Sequence, residues 1–159
     1  MEILVGLMLV LLLIGIQVGM QRWNMHRLQQ DWKAAETAIR MQDQATAEAA
    51  LRRCIKRMPL WLAPRTLLAA LLAERGELEE AEEVLQLVTS LEPKNADGYL
   101  SLSSFYARYQ PDRMDDIIEA LESALRFNPE LQTRLRHERW LEPLRDDPRV
   151  EAILRPCAD

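Results

Sequence analysis

The stretch ERGELEEAEEVLQLVTSLEP, from Glu74 to Pro93, decides the fold of this chain. Gly76 marks a turn, and after it small or apolar residues recur every three or four positions, the pattern of one helix face. Carboxylates in the first turns of a helix favour the positive end of its dipole. The glutamate run is therefore the outer face of a helix and not a linker. The residues expected to point mostly outward are Glu79, Glu80, Glu82 and Glu83.

The prolines that end such helices recur at a nearly constant period. Pro59 to Pro93 is 34 residues, and Pro93 to Pro129 is 36. Aligning the chain on these prolines brings small or apolar residues into register, as expected for the inner stripe of each helix. The aligned sets are Ala47, Ala81 and Ile117, then Leu51, Leu85 and Leu121, then Cys54, Val88 and Ala124.

A 34-residue period with two helices per unit and a closing proline resembles the tetratricopeptide repeat (TPR). The middle repeat matches best, with Gly76 at its turn, Ala81 and Leu85 in its second helix and Pro93 at its end. Arg65 departs from the family's tryptophan. The first repeat has Gln42 where glycine is usual, and the turn YQPDRM of the third has two extra residues.

The resemblance covers about residues 28–130 and implies an all-α fold, a short TPR-like α-solenoid of about three helical hairpins. Its repeats are expected at about 28–61, 62–95 and 96–130. The tail, residues 131–159, looks like two short helices split near residues 146–148. Solenoids need an end cap with a polar outer face, and we expect the tail to be that cap.

A transmembrane anchor is predicted before the repeats, at residues 1–22, with a helical domain at 23–159. Ile3 to Met20 contains no charged residue and is about long enough to span a bilayer. A cleaved signal peptide would have a basic start and a small-residue cleavage site, and neither is present. Gly15 and Gly19 have the spacing of a helix–helix contact, although glycine is also common in membrane helices.

Basic residues follow this segment and predict its orientation. Arg22, Arg27 and Lys33 lie after it, whereas only Glu2 precedes it. Because basic residues are retained on the cytoplasmic side, we expect the N-terminus outside and the repeats in the cytoplasm. Arg22, Trp23 and Arg27 are the predicted membrane-interface residues.

The charges of the two halves differ. Residues 21–66 hold nine Lys/Arg and four Asp/Glu, a net +5, whereas residues 74–130 hold five and fourteen, a net −9. Arg52, Arg53, Lys56 and Arg57 form a basic cluster, which is either a lipid-facing patch or a solvated helix face. Nucleic acid is disfavoured as a partner, because the domain is acidic and its basic residues are not interleaved with aromatics.

No motif indicates catalysis. The sequence lacks a nucleophile elbow, a phosphate-binding loop and a zinc-protease motif. Cys54 and Cys157 make no metal-ligand spacing with His26 and His137. We therefore predict a protein that is not an enzyme and that has no cofactor, metal site or small-molecule substrate.

The TPR resemblance implies that the first helix of each repeat lines a groove for a protein partner. The lysine/asparagine carboxylate clamp of chaperone-binding TPR proteins is absent, so a chaperone tail is not the expected ligand. Trp32 is either an anchor for a partner or packs against a neighbouring helix. The predicted groove residues are Trp32, Glu36, Arg40, Thr66, Ala70, Glu74, Leu100, Ser104 and Arg108.

These features favour a membrane-anchored scaffold that binds proteins of a membrane complex. Bacterial proteins with one N-terminal span followed by repeats include assembly factors for photosynthetic and respiratory complexes. By that analogy the chain is an assembly factor or accessory subunit of such a complex. The alternatives are a permanent structural subunit, packed through its transmembrane helix, and a regulator of envelope synthesis.

Overall fold

The structure is a computed structural model that describes the backbone of residues 2–155 and the side chains of residues 13–155. The described backbone forms helices and turns and no strand, so the predicted all-α class is confirmed. The chain divides into unit 1, Met1–Pro64, and unit 2, Arg65–Asp159. The helices are α1 (Glu2–Arg40), α2 (Gln44–Arg57), α3 (Leu62–Glu74), α4 (Leu78–Leu91), α5 (Ala96–Tyr109), α6 (Met114–Phe127), α7 (Leu131–Leu135), a 3₁₀ helix (Arg139–Leu144) and α8 (Pro148–Leu154).

The helix α1 continues without a break from Glu2 to Arg40. The apolar segment and the first helix of repeat one are thus one helix. Among the residues that the structure describes with their side chains, no helix is long and apolar enough to cross a membrane. Much of the predicted anchor, residues 1–12, lies outside those side chains. The structure does not support the anchor, which stays a prediction from the sequence.

In unit 1, α2 packs back along α1. The buried residues of both helices follow helical spacing, which is why each helix has one apolar face. Asp43 caps the start of α2, where its carboxylate accepts a hydrogen bond from the backbone N–H of Thr46 at 3.1 Å. The core of this hairpin consists of Leu28, Ala35, Ala38, Ala47, Ala50, Leu51 and Cys54.

In unit 2, α5 and α6 form a hairpin, and α4 packs against α5. The inner positions that the sequence aligned are buried in α4 and α6, as predicted. Gly98 lets α4 and α5 approach closely, since a Cβ at this position would lie 3.1 Å from Cγ1 of Val88. These inner residues are Ala81, Leu85, Val88, Ile117, Leu121 and Ala124.

Within residues 131–155, the part of the tail that the structure describes, there are three short helices rather than the predicted two. The break before Pro148 is present, and Asp147 caps α8. A further break separates α7 from the 3₁₀ helix. On one continuous helix Trp140, nine residues after Leu131, would point to the opposite side. The break allows both side chains to be buried.

Candidate protein-binding site

A first cleft, of about 170 Å³, lies between α3 and α5 in unit 2. Alanines on α3 leave this space open because their side chains are short. One end of the cleft has Glu74 on α3 and Arg108 and Tyr109 on α5. The lining consists of Thr66, Ala69, Ala70, Ala73, Glu74, Leu85, Ser101, Ser104, Phe105, Arg108 and Tyr109.

A second cleft, of about 340 Å³, lies between α5 and the tail. Ser101, Ser104 and Arg108 line both clefts, so the two meet along one face of α5. We call the two clefts together the α5 groove. The lining of the second cleft consists of Asp97, Leu100, Ser101, Ser104, Arg108, Arg134, Glu138 and Trp140.

The polar groups of the α5 groove are partly free. Arg134 is paired with Glu138 at 3.1 Å. Arg108 is exposed and, within the described chain, makes no ion pair or hydrogen bond through its side chain. The side chains of Glu74, Asp97, Ser104 and Tyr109 likewise make no ion pair or hydrogen bond within the described chain. One guanidinium, two carboxylates and two hydroxyls are therefore available to a ligand, and charged donors make the stronger hydrogen bonds.

Six of the nine predicted groove residues lie in the α5 groove, and that they bind a partner stays a prediction. The side of the groove formed by the tail was not predicted. Arg134, Glu138 and Trp140 belong to the tail, for which the sequence analysis predicted only the role of an end cap. Trp140 offered a signal, as an aromatic in a charged segment. The six residues are Thr66, Ala70, Glu74, Leu100, Ser104 and Arg108.

The repeat-one residues of the predicted groove lie in unit 1. The ring of Trp32 packs against that of Trp61, with centroids 4.6 Å apart and planes at 45°. This contact favours packing over an anchoring role for Trp32. Glu36 and Arg40 are exposed on the last turns of α1.

The basic cluster on α2 is largely engaged within unit 1. Asp31 accepts hydrogen bonds from Nε of Arg53 at 2.7 Å and from Nε of Arg57 at 2.8 Å. Partial burial acts to raise the pKa of Asp31, but the two arginines outweigh it and the pKa is lowered. Arg52 pairs with Glu48, while Lys56 is exposed.

A second charge network joins α4, α5 and α6. Glu82 accepts hydrogen bonds from Tyr106 Oη at 2.8 Å and from Arg113 Nη1 at 2.8 and 2.9 Å, so it does not point outward as expected. The Arg113 guanidinium lies 4.4 Å from the centroid of the Tyr106 ring and also donates to Asp116 at 2.8 Å. Hydrogen bonds to Asp116 and Glu82 raise the pKa of Arg113. The YQPDRM turn, with its two extra residues, supplies this arginine.

The predicted membrane-interface residues lie on the exposed part of α1. The guanidinium of Arg27 lies 5.1 Å from the centroid of the Trp23 ring, a cation–π contact. Arg22 is exposed. Their role at a membrane stays a prediction.

Among the residues that the structure describes, no group of histidine, cysteine, aspartate or glutamate could hold a metal ion. That the protein has no cofactor and no enzymatic activity stays a prediction.

Solved structures identify the fold. No family model and no curated protein matches the sequence. The crystal structure of MamA protein is similar, with a TM-score of 0.59 and 17% identity over 80% of this chain and 69% of that chain. The TPR2B domain of yeast Sti1, solved in a complex with pHsp70, has a TM-score of 0.59 and 16% identity over 80% of this chain and 93% of that chain. The chain has a TPR-like α-solenoid fold. At such identities the likeness shows the fold alone.

Proposed function

We propose that this protein is a membrane-anchored scaffold that binds a segment of a partner protein in the α5 groove. The observation that carries the proposal is the groove itself, in which Arg108, Glu74 and Ser104 have no partner within the described chain. TPR neighbours are proteins that bind other proteins, and the Sti1 domain was solved with such a partner.

The lining of the groove indicates what it would accept. Alanines on α3 admit a peptide main chain or a helix face at close range. Of the aromatic residues that line the groove, Tyr109 is half-buried and offers apolar surface, whereas Phe105 and Trp140 are buried behind the lining. Arg108 suits a carboxylate of the partner. We therefore expect a segment with an apolar side chain beside an acidic one.

The anchor supplies the location. Residues 3–20 hold the domain at a membrane with the N-terminus outside and the repeats in the cytoplasm. There it acts as an assembly factor or accessory subunit of an integral membrane complex, photosynthetic or respiratory. A permanent structural subunit and a regulator of envelope synthesis are the alternatives, and an assembly factor would be found on immature complexes only.

The test is a mild-detergent pull-down of the full chain, with mass spectrometry of the proteins recovered. Arg108→Glu reverses the unpaired positive charge of the groove, and Arg126→Glu makes the same change at an exposed position of α6. We expect Arg108→Glu to lower recovery of the partner about 10- to 100-fold, as at interface hot spots, and Arg126→Glu to leave it unchanged. Equal recovery with both variants would rule out the groove as the binding site.

The orientation has its own test. A membrane-impermeant thiol reagent is applied to intact cells that carry the protein, and labelling of Cys157 is measured. We expect labelling only after the cells are opened. Labelling in intact cells would place the domain on the other side of the membrane.

A further inference from the structure

The end of α2 lies close to the apolar segment of α1. Because α2 runs back along α1, its last residue, Arg57, reaches Asn24, and Nη1 donates to the amide oxygen at 3.2 Å. Asn24 follows Met20, the end of the apolar segment, by four residues, which is about 6 Å along a helix. The polar interface of a bilayer extends about that far from the hydrocarbon core.

A tight turn follows α2, beside the part of α1 between Asn24 and Trp32. The backbone N–H of Met58 donates to the carbonyl of Cys54 at 2.9 Å, and that of Trp61 donates to the carbonyl of Met58 at 3.0 Å. Trp61 is held against Trp32, but Leu60 at the tip is 71% exposed and Met58 is 44% exposed. The turn thus directs two large apolar side chains away from the core of unit 1.

The surroundings of this turn are cationic. Between Ile3 and Gln30 the sequence has no acidic residue, and Asp31 is engaged by Arg53 and Arg57. Both helices of unit 1 carry exposed basic side chains near this turn, Arg22 and Arg27 on α1 and Lys56 on α2. Apolar tips among basic residues, beside an apolar helix, match the chemistry of an anionic bilayer surface.

We infer that the turn Met58–Trp61 is a second membrane contact, in which Leu60 and Met58 enter the interface and Lys56 meets anionic headgroups. The inference rests on the anchor proposed above. It differs from the basic cluster predicted from the sequence, because Asp31 engages two arginines of that cluster. With two points of contact, unit 1 has a defined orientation at the bilayer and does not rotate freely about α1.

The experiment measures depth in the membrane with the full chain. In a Cys157→Ser background, cysteines are introduced one at a time and labelled with an NBD fluorophore. The protein is placed in vesicles of phosphatidylcholine and phosphatidylglycerol, and fluorescence is compared with and without a lipid whose spin label lies at a shallow depth and quenches NBD. Cys54 interferes little, because it is fully buried and burial raises the pKa of its thiol. Leu60→Cys reports the turn, Ile16→Cys reports the anchor, and Leu87→Cys is a matched exposed leucine on α4.

We expect quenching at position 60 to exceed that at position 87 at least threefold. Replacing phosphatidylglycerol or introducing Lys56→Glu should reduce it at least twofold, whereas the matched Lys94→Glu in unit 2 should not. Quenching at position 16 without quenching at position 60 would overturn the inference and leave the anchor intact. Absence of quenching at position 16 would refute the anchor. Equal quenching at 60 in neutral and anionic vesicles would overturn the role given to anionic headgroups.

Discussion

The turn between α1 and α2 and the turn between α3 and α4 share one backbone hydrogen-bond pattern but have different residues at the left-handed position. In each, the N–H that follows a left-handed residue donates to a carbonyl five positions earlier, from Asp43 to Ala38 and from Glu77 to Leu72, both at 2.9 Å. This is the pattern of a Schellman motif. The left-handed residue is Gly76, with φ 84°, in the second turn, and Gln42, with φ 58°, in the first. The repeat-one turn therefore has this geometry without glycine, the residue that adopts a positive φ without steric strain.

The charge networks of the two units extend this comparison. In unit 1 one carboxylate, Asp31, is held by two arginines, and its side chain is 13% exposed. In unit 2 one arginine, Arg113, is held by Glu82 and Asp116, and its side chain is 36% exposed. Residues within a run of like charges can thus form ion pairs between helices. Of the two central residues, Asp31 in repeat one is less exposed to solvent than Arg113 in unit 2.

The largest effects are expected in the two cores. Leu51→Ala and Leu85→Ala truncate buried leucines at the same register, and each should lower the free energy of unfolding by about 2–5 kcal/mol. Urea denaturation followed by circular dichroism measures this, with the exposed Leu60→Ala as a control within about 0.5 kcal/mol of wild type. A small loss for Leu51→Ala alone would show that the repeat-one hairpin is poorly packed.

The charge networks come next. Asp31→Asn should cost about 1–2 kcal/mol, because it leaves two partly covered guanidinium groups without a carboxylate. Arg113→Met should cost about 1 kcal/mol, since its site is more open to solvent. The same denaturation experiment compares them, with Arg126→Met as the control for an exposed arginine. A larger loss for Arg113→Met would reverse the ranking inferred from exposure.

The left-handed positions of the two turns, Gly76 and Gln42, can be tested by opposite substitutions. Gly76→Ala should destabilise by about 1–2 kcal/mol, because an L-residue is strained at positive φ and nothing else opposes the new methyl group. Gln42→Gly should stabilise by up to about 1 kcal/mol, since relief of strain exceeds the extra chain entropy of glycine. Thermal unfolding measures both. If Gln42→Gly destabilises, Gln42 contributes something besides its backbone conformation.

The smallest expected effect is the pH dependence of the stability that Asp31 contributes. The folded pKa of Asp31 is lowered, so its contribution is present above the unfolded pKa of about 3.9 and is lost as pH falls through the folded value. The stability difference between wild type and Asp31→Asn should therefore be constant from pH 7 to about 5 and shrink below about 4. Melting temperatures across this range test it. A difference that grows on acidification would contradict the ion pairing.

The sequence predicted the helices well and, for the candidate groove, part of its lining. Periodicity and the prolines indicated α2 to α6 and the buried positions such as Leu85 and Leu121, because helix faces are local features. The groove positions on α3 and α5 came from the TPR resemblance, carried over residue by residue. The wall formed by Trp140 did not, because it depends on how the tail folds back onto α5, and no repeat pattern describes the tail.

By itself, the sequence determined the helical class and the turn at Gly76, because these depend on residues within a few positions of each other. It also displayed the repeat period directly, as the spacing of its prolines. Tertiary structure alone decided which charges remain free. Glu82 and Asp31 look like other surface carboxylates in the sequence, but partners 31 and 22 residues away engage them, whereas Arg108 has none within the described chain. Contacts over such separations are set by helix packing, and a single sequence does not display them.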